Sequence, residues 1–162
     1  MLNTEENRIM DKDFLITIAG SQTMGGITET ISLSTFGEYR RADGKDYITY
    51  VEADLRGNDG DTTTLTIDGS WQATLERSGK SRSRLIMEKG RRCICHYDTA
   101  LGNLMVGIKA DVIENQLTGE GGRVVLSYSL DVNSAAISSN RLDITVDSAP
   151  KKIDMGSETK RL

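Results

Sequence analysis

No apolar run in this chain approaches the ~20 residues that a membrane-spanning helix requires. Basic residues are not in excess either: 20 Lys and Arg stand against 24 Asp and Glu, with a pI near 5.1. That balance argues against a nucleic-acid partner, which needs a basic field, although an acidic chain can still hold a local basic patch. Cysteine occurs twice. The opening MLNTEENRIMDKD has neither the basic n-region nor the apolar core of a signal peptide, so the expectation is free thiols in a reducing cytoplasm. Proline occurs once and aromatics make up 5%, while there are 16 glycines. Such a composition points to many strands joined by glycine turns rather than to a helical bundle.

At 162 residues the chain fits one domain, able to bury roughly 70% of its unfolded surface. Residues 1–12 and the charged stretch 147–162 show no sustained period and are expected to be flexible. Residues 13–146 alternate with period 2, the pattern of half-buried antiparallel strands. Gly25-Gly26 suits a two-residue turn, which pairs Met24 with Ile27 and Ile18 with Leu33; Phe14, Ile16, Ile18, Ile31 and Leu33 then share a face. KDYITYVEADL reads as a strand. TTTLTIDGSWQATLERSG reads as two, turning at Asp68-Gly69, with Trp71, Ala73, Leu75 and Arg77 on one side. A turn at residues 79–81 sets Leu75 near Leu85 and Ala73 near Met87.

The stretch RRCICHYDTALGNLMVGI holds both cysteines and the lone histidine. A turn at Ala100-Leu101 pairs Tyr97 with Leu104, Cys95 with Val106 and Cys93 with Ile108, while Ile94 and His96 face the other way. Gly121-Gly122, taken as the next turn, sets Leu117 near Leu126 and Ile113 near Leu130. That demands odd inward parity on a strand whose earlier inward residues, Leu104 to Ala110, are even. A strand cannot change parity without an extra residue, so a β-bulge or break is predicted between Asp111 and Asn115. Val124 to Val132 and Leu142, Ile144 and Val146 complete the apolar face. About eight to ten strands result, and closing them removes both sticky edges. The fold class is all-β, an antiparallel up-and-down barrel.

The reactive residues yield no centre. Alternation places both thiols on one face and the imidazole on the other, so Cys93, Cys95 and His96 cannot converge on a metal, and a Cys-His dyad fails for the same reason. A disulfide between i and i+2 would span about 7 Å with parallel Cβ vectors. Most acids, Asp131 and Asp143 among them, fall at turns or on outward parity. Arg56 to Asp61 lacks the oxygen spacing of a calcium loop and reads as a solvated hairpin loop. No catalytic residue, metal site or cofactor motif is assigned.

GGITETISLSTFGEYRR, GDTTTLTIDGSWQATLERSG, CHYDTALGNLMVGI and GGRVVLSYSLDVN followed by SSNRLDIT resemble the YwiB-like family of small bacterial proteins. The resemblance runs from about residue 13 to 146. It implies a calycin-type, lipocalin-like barrel, whose relatives often hold small apolar ligands, and brings no established biochemical function. The Cys93-x-Cys95 pair and the charged tail depart from the family pattern. The lipocalin Gly-x-Trp near the first strand is not met, since Gly69-Ser70-Trp71 lies in mid-chain.

What remains is the barrel interior. Tyr47, Trp71, Arg77, Tyr97 and Tyr128 are the candidate inner or mouth residues for a small, partly apolar or amphipathic ligand. Arg77 extends an apolar stripe; inside, it needs an acidic partner or an anionic ligand head group. The simpler reading is a rim arginine with its head in water. The competing reading is a packed structural or interaction module, monomer or homodimer, without a ligand. A small hydrolase or isomerase has no residue constellation behind it.

Overall fold

A computed structural model describes residues 14–52, 60–80, 82–99 and 102–148. Ten strands run in chain order: β1 (Phe14–Met24), β2 (Ile27–Ala42), β3 (Lys45–Val51), β4 (Thr62–Asp68), β5 (Gln72–Ser78), β6 (Ser83–Glu88), β7 (Cys93–Thr99), β8 (Gly102–Asn115), β9 (Gly122–Val132) and β10 (Ala135–Ser148). Each strand pairs antiparallel with its chain neighbours, and β1 closes on β10 through pairs such as Ile18↔Ile144. The result is an up-and-down barrel. Among the described residues there is no helix, hence none long and apolar enough to cross a membrane. Of the expected flexible ends, 1–12 and 147–162, Asp147 and Ser148 belong to β10, paired with Leu15 and Phe14; the rest, and the Arg56-to-Asp61 loop as far as residue 59, lie outside the described residues.

The turn glycines set the register as the pattern requires. Gly25 and Gly26 have φ of 56° and 80°, a left-handed conformation that glycine adopts with no Cβ penalty, and Met24 pairs with Ile27. Leu75↔Leu85, Ala73↔Met87, Cys95↔Val106 and Cys93↔Ile108 follow as expected. The parity change on β8 is a bulge: Ala110 pairs with Tyr128 and Val112 with Ser127, leaving Asp111 as the extra residue. Inward parity then passes from Val106, Ile108 and Ala110 to Ile113.

Two pairings are corrected. Leu126 pairs with Ile113 rather than Leu117, and Leu130 with Ile108 rather than Ile113, because Gly121-Gly122 does not make a two-residue turn. Gln116 N–H donates to Arg123 O and Thr118 N–H to Gly121 O, so a wider loop joins β8 to β9 and carries Leu117 inward.

The core lies inside the barrel. Ile16, Ile48, Leu65, Ile67, Met87, Ile108, Leu126 and Ile144 are completely buried there. Each contributes on the order of 2 kcal/mol by leaving water. The outward acids behave as expected: Asp131 and Asp143 take bidentate grips from Arg92 and Arg123 on the surface.

The two ends of the barrel differ. At one end Phe14 meets Tyr39 edge-on at 5.4 Å, and the β8–β9 loop lies over a buried polar knot. Its centre is Asp46, 1% exposed, which accepts hydrogen bonds from Tyr39 Oη (2.7 Å), Arg41 Nε (2.9 Å) and Asn115 Nδ2 (3.1 Å). Arg41 Nη2 also donates to Leu117 O at 2.7 Å, Asn115 Nδ2 to Gly69 O, and Gly119 N–H to Tyr39 Oη. A buried carboxylate is tolerable only with such partners. Gly37, where β2 passes from β1 to β3, sits so close that a Cβ there would strike the Thr49 carbonyl and come within 2.6 Å of Ile16 Cδ1. This end is shut; the other is not.

Candidate functional site

The open end contains a cavity of about 440 Å³. Its apolar wall is Ile18, Leu33, Leu75 and Leu142, with Ile31 at the lip. Glycine at position 20, opposite Ile31 and Leu142, keeps the wall thin: a Cβ there would lie 3.1–3.2 Å from both side chains.

Polar groups share the lining with this wall. β3 alternates Asp46, Ile48 and Tyr50 inward, and the chain continues that parity to Glu52 at the strand's end. β5 brings Arg77 to the same level through the Thr63↔Arg77 pair. Arg77 Nη2 donates to Glu52 Oε2 at 3.3 Å, and the Thr63 hydroxyl donates to the same oxygen at 3.0 Å. The Arg77 side chain is 37% exposed, yet its Nε is buried and meets no acceptor among the described residues. An unsatisfied buried donor carries a desolvation penalty of about 1–3 kcal/mol. On the β9–β10 side, Gln22 Nε2 donates to Asn140 Oδ1 and Asn140 Nδ2 to Ser138 Oγ, both at 3.0 Å.

Two phenols complete the lining. Burial pushes Tyr50 up to about 12, helped by the Glu52 carboxylate and opposed by Arg77. Burial likewise holds Tyr128 at about 12, with Tyr97 raising it further and Arg77 pulling it down. Both phenols are therefore neutral donors or acceptors near pH 7.

Of the five residues expected at the interior, Arg77 and Tyr128 line the cavity together. Tyr97 packs against the same core from β7, half-buried beside them. The structure places the other two elsewhere. Tyr47 faces outward with the Arg40 guanidinium 4.4 Å from its ring centre, and Trp71 is 51% exposed in the β4–β5 turn. Arg77 combines both readings of it: the stem and Nε are inside, and the head reaches toward water. Tyr50, Glu52, Thr63 and Asn140 were not singled out from the sequence. Residues 45–52 alternate two mixed sets, Lys-Tyr-Thr-Val and Asp-Ile-Tyr-Glu, and hydropathy alone does not choose between them.

The thiols and imidazole take the predicted sides: Cys95 is buried inside, and His96 is exposed with Nδ1 3.0 Å from Asn103 Oδ1. Both cysteines are free. Among the described residues no three of His, Cys, Asp and Glu gather around one point. The cavity combines an apolar wall with hydrogen-bonding groups from Glu52, Thr63, Arg77 and Asn140.

No curated protein matches the chain. The crystal structure of the ywiB protein from Bacillus subtilis matches with a TM-score of 0.71 at 22% identity, covering 85% of this chain and 92% of that one. At that identity the likeness shows the fold, and the barrel agrees with it. The model of the family described as "Domain of unknown function (DUF1934)" matches residues 16–144, from the first buried isoleucine of β1 to the buried isoleucine of β10. The chain belongs to that family, and the YwiB-like resemblance read from its motifs is borne out.

Proposed function

We propose that this protein is a non-enzymatic ligand-binding barrel, which takes a small, partly apolar molecule into its open end. The observation that carries the reading is the cavity itself: about 440 Å³ of space against Ile18, Leu33, Leu75 and Leu142, with Arg77 Nε unpartnered at its polar side. That volume falls in the range of small-molecule pockets, where apolar area supplies affinity and a few polar groups supply orientation. The apolar part of the ligand lies on the aliphatic wall. Its polar end, a carboxylate or another strong acceptor, takes hydrogen bonds from Arg77 and Tyr128.

Native mass spectrometry of the protein as purified, beside displacement of an anionic dye such as anilinonaphthalene sulfonate, tests this. A retained mass adduct or stoichiometric dye binding is expected. A bare protein mass together with no dye binding would remove the reading.

A second reading is favoured by Ile27, Phe36 and Met105, which are 68%, 61% and 58% exposed. Exposed apolar side chains suit a surface that meets another protein or a second copy. A stable dimer in size-exclusion chromatography with light scattering would favour it over the ligand reading.

A further inference from the structure

We propose that the outer groove over the junction of β6 and β7 is a second binding site, for the phosphate or carboxylate of a small organic anion. It lies outside the barrel and goes beyond the interior reading. β5 and β6 pair through six consecutive residues and β7 and β8 through seven, but the described register between β6 and β7 is one pair, Ser83↔Tyr97. Where the strands part, the Ile86 amide turns to the Cys95 thiol, donating to Sγ at 3.2 Å. The parting leaves a concavity of about 640 Å³ on the outer surface.

Its lining is cationic. Among the described lining residues, Arg77, Arg82 and Arg84 stand against one carboxylate, Glu76, with Arg77 also holding Glu52 at the interior side. Glu76 pairs with Arg84 at 3.4 Å, with both side chains about half or more exposed, so an incoming anion competes for Arg84 at little cost. Arg82 forms no ion pair among the described residues. Arg41, Arg92 and Arg123, by contrast, each hold a carboxylate through two nitrogens. The whole chain carries a net charge of −4, so this concave patch runs against the sign of the molecule. Guanidinium forks match the paired oxygens of carboxylate and phosphate, and low-dielectric walls strengthen the attraction. Ile86 and the half-exposed Ile94 supply apolar floor, which suits the uncharged part of an organic anion.

Arg77 borders both this groove and the interior cavity, whereas Arg82 and Arg84 border the groove alone. The two sites are therefore separable. The sequence also supplies its own reporters: the only histidine, His96, lines the groove, and the only tryptophan, Trp71, lies outside it.

The test is a titration with pyrophosphate, and separately with citrate, at fixed pH and ionic strength, followed by the NMR signals of the His96 ring and the Trp71 indole. A saturable His96 shift with a static Trp71 is expected for at least one anion; response to one alone assigns phosphate or carboxylate. Arg82→Gln/Arg84→Gln is expected to weaken binding at least tenfold, and Arg91→Gln, outside the groove, to leave it unchanged. Should the double variant misfold, Arg82→Gln alone is expected to show the same direction. Non-saturating drift, equal movement of Trp71, or unchanged affinity in the folded Arg82 variants would overturn the proposal.

Discussion

Arg77 Nη2 and Glu52 Oε2 meet at 3.3 Å inside the open end of the barrel, joining β5 to the residue that follows β3. Both side chains are about one-third exposed, so water screens the pair and its net worth is about 0–1 kcal/mol. Arg77→Met is expected to change Tm by no more than about 4 °C. The same substitution is expected to weaken an anionic dye at least about tenfold, the loss of one charge-assisted hydrogen bond. Glu52→Gln frees the guanidinium and is expected to strengthen the dye. Thermal melts beside fluorescence titrations of both variants check this.

The shut end depends on Asp46. Asp46→Ala leaves Tyr39 Oη, Asn115 Nδ2 and Arg41 without their shared acceptor and is expected to cost about 2–4 kcal/mol in urea unfolding. Although burial alone would raise its pKa, the hydrogen bonds from Arg41, Tyr39 and Asn115 hold the Asp46 carboxyl below the usual carboxylate range. The folded state thus favours the ionised form. Its stabilisation is full above the unfolded value of about 3.9 and is lost as pH falls through the lower folded value. Unfolding of the parent below about pH 4 is expected to be steeper than that of Asp46→Asn.

The alkaline limb has the opposite sign. Burial pushes Tyr39, Tyr50 and Tyr128 up to about 12, so folding favours the neutral phenols. That contribution is full below the unfolded value of about 10 and declines as pH rises toward 12. Tyrosinate absorbance at 295 nm is expected to show three of the five tyrosines ionising late in the native protein and at about 10 in denaturant.

Cys95 takes part in the β6–β7 junction as a hydrogen-bonding group. Its Sγ accepts from Ile86 N–H at 3.2 Å and lies 3.8 Å from Ile86 O. Cys95→Ala removes both partners and is expected to cost about 1–3 kcal/mol, whereas Cys95→Ser keeps them and is expected to cost less. Amide exchange at Ile86 is expected to quicken in the alanine variant alone. Thiol labelling of the native parent is expected to be slow, since Cys95 is 4% exposed and burial raises the Cys93 thiol.

Local chemistry made most of the barrel readable. A glycine pair fixes the β1–β2 register, and period-2 alternation then carries each hairpin's apolar set to one face. Even the Asp111 bulge was legible, because Ala110 and Ile113 are both apolar and cannot both face inward on an unbroken strand. The β8–β9 register was not legible: Gly121-Gly122 mimics a tight turn, and only the tertiary capping of the barrel end draws Leu117 and Gln116 into a wider loop. The cavity's polar side was hidden for a related reason. Glu52 and Arg77 lie 25 residues apart, and neither identifies the other until β3, β4 and β5 are laid side by side. Tyr47 reads as inward because its strand alternates two equally mixed sets, and Asp46 reads as outward because acids ordinarily face water.

The most direct measurement is a set of intermolecular NOEs between bound anilinonaphthalene sulfonate and methyl-labelled protein. A barrel open at one end is expected to give contacts to Ile18, Leu33, Leu75 and Leu142, and none to Ile16, Ile67 or Val146 at the shut end. Contacts confined to the exposed Ile27 and Met105, with none to the inner wall, would contradict it.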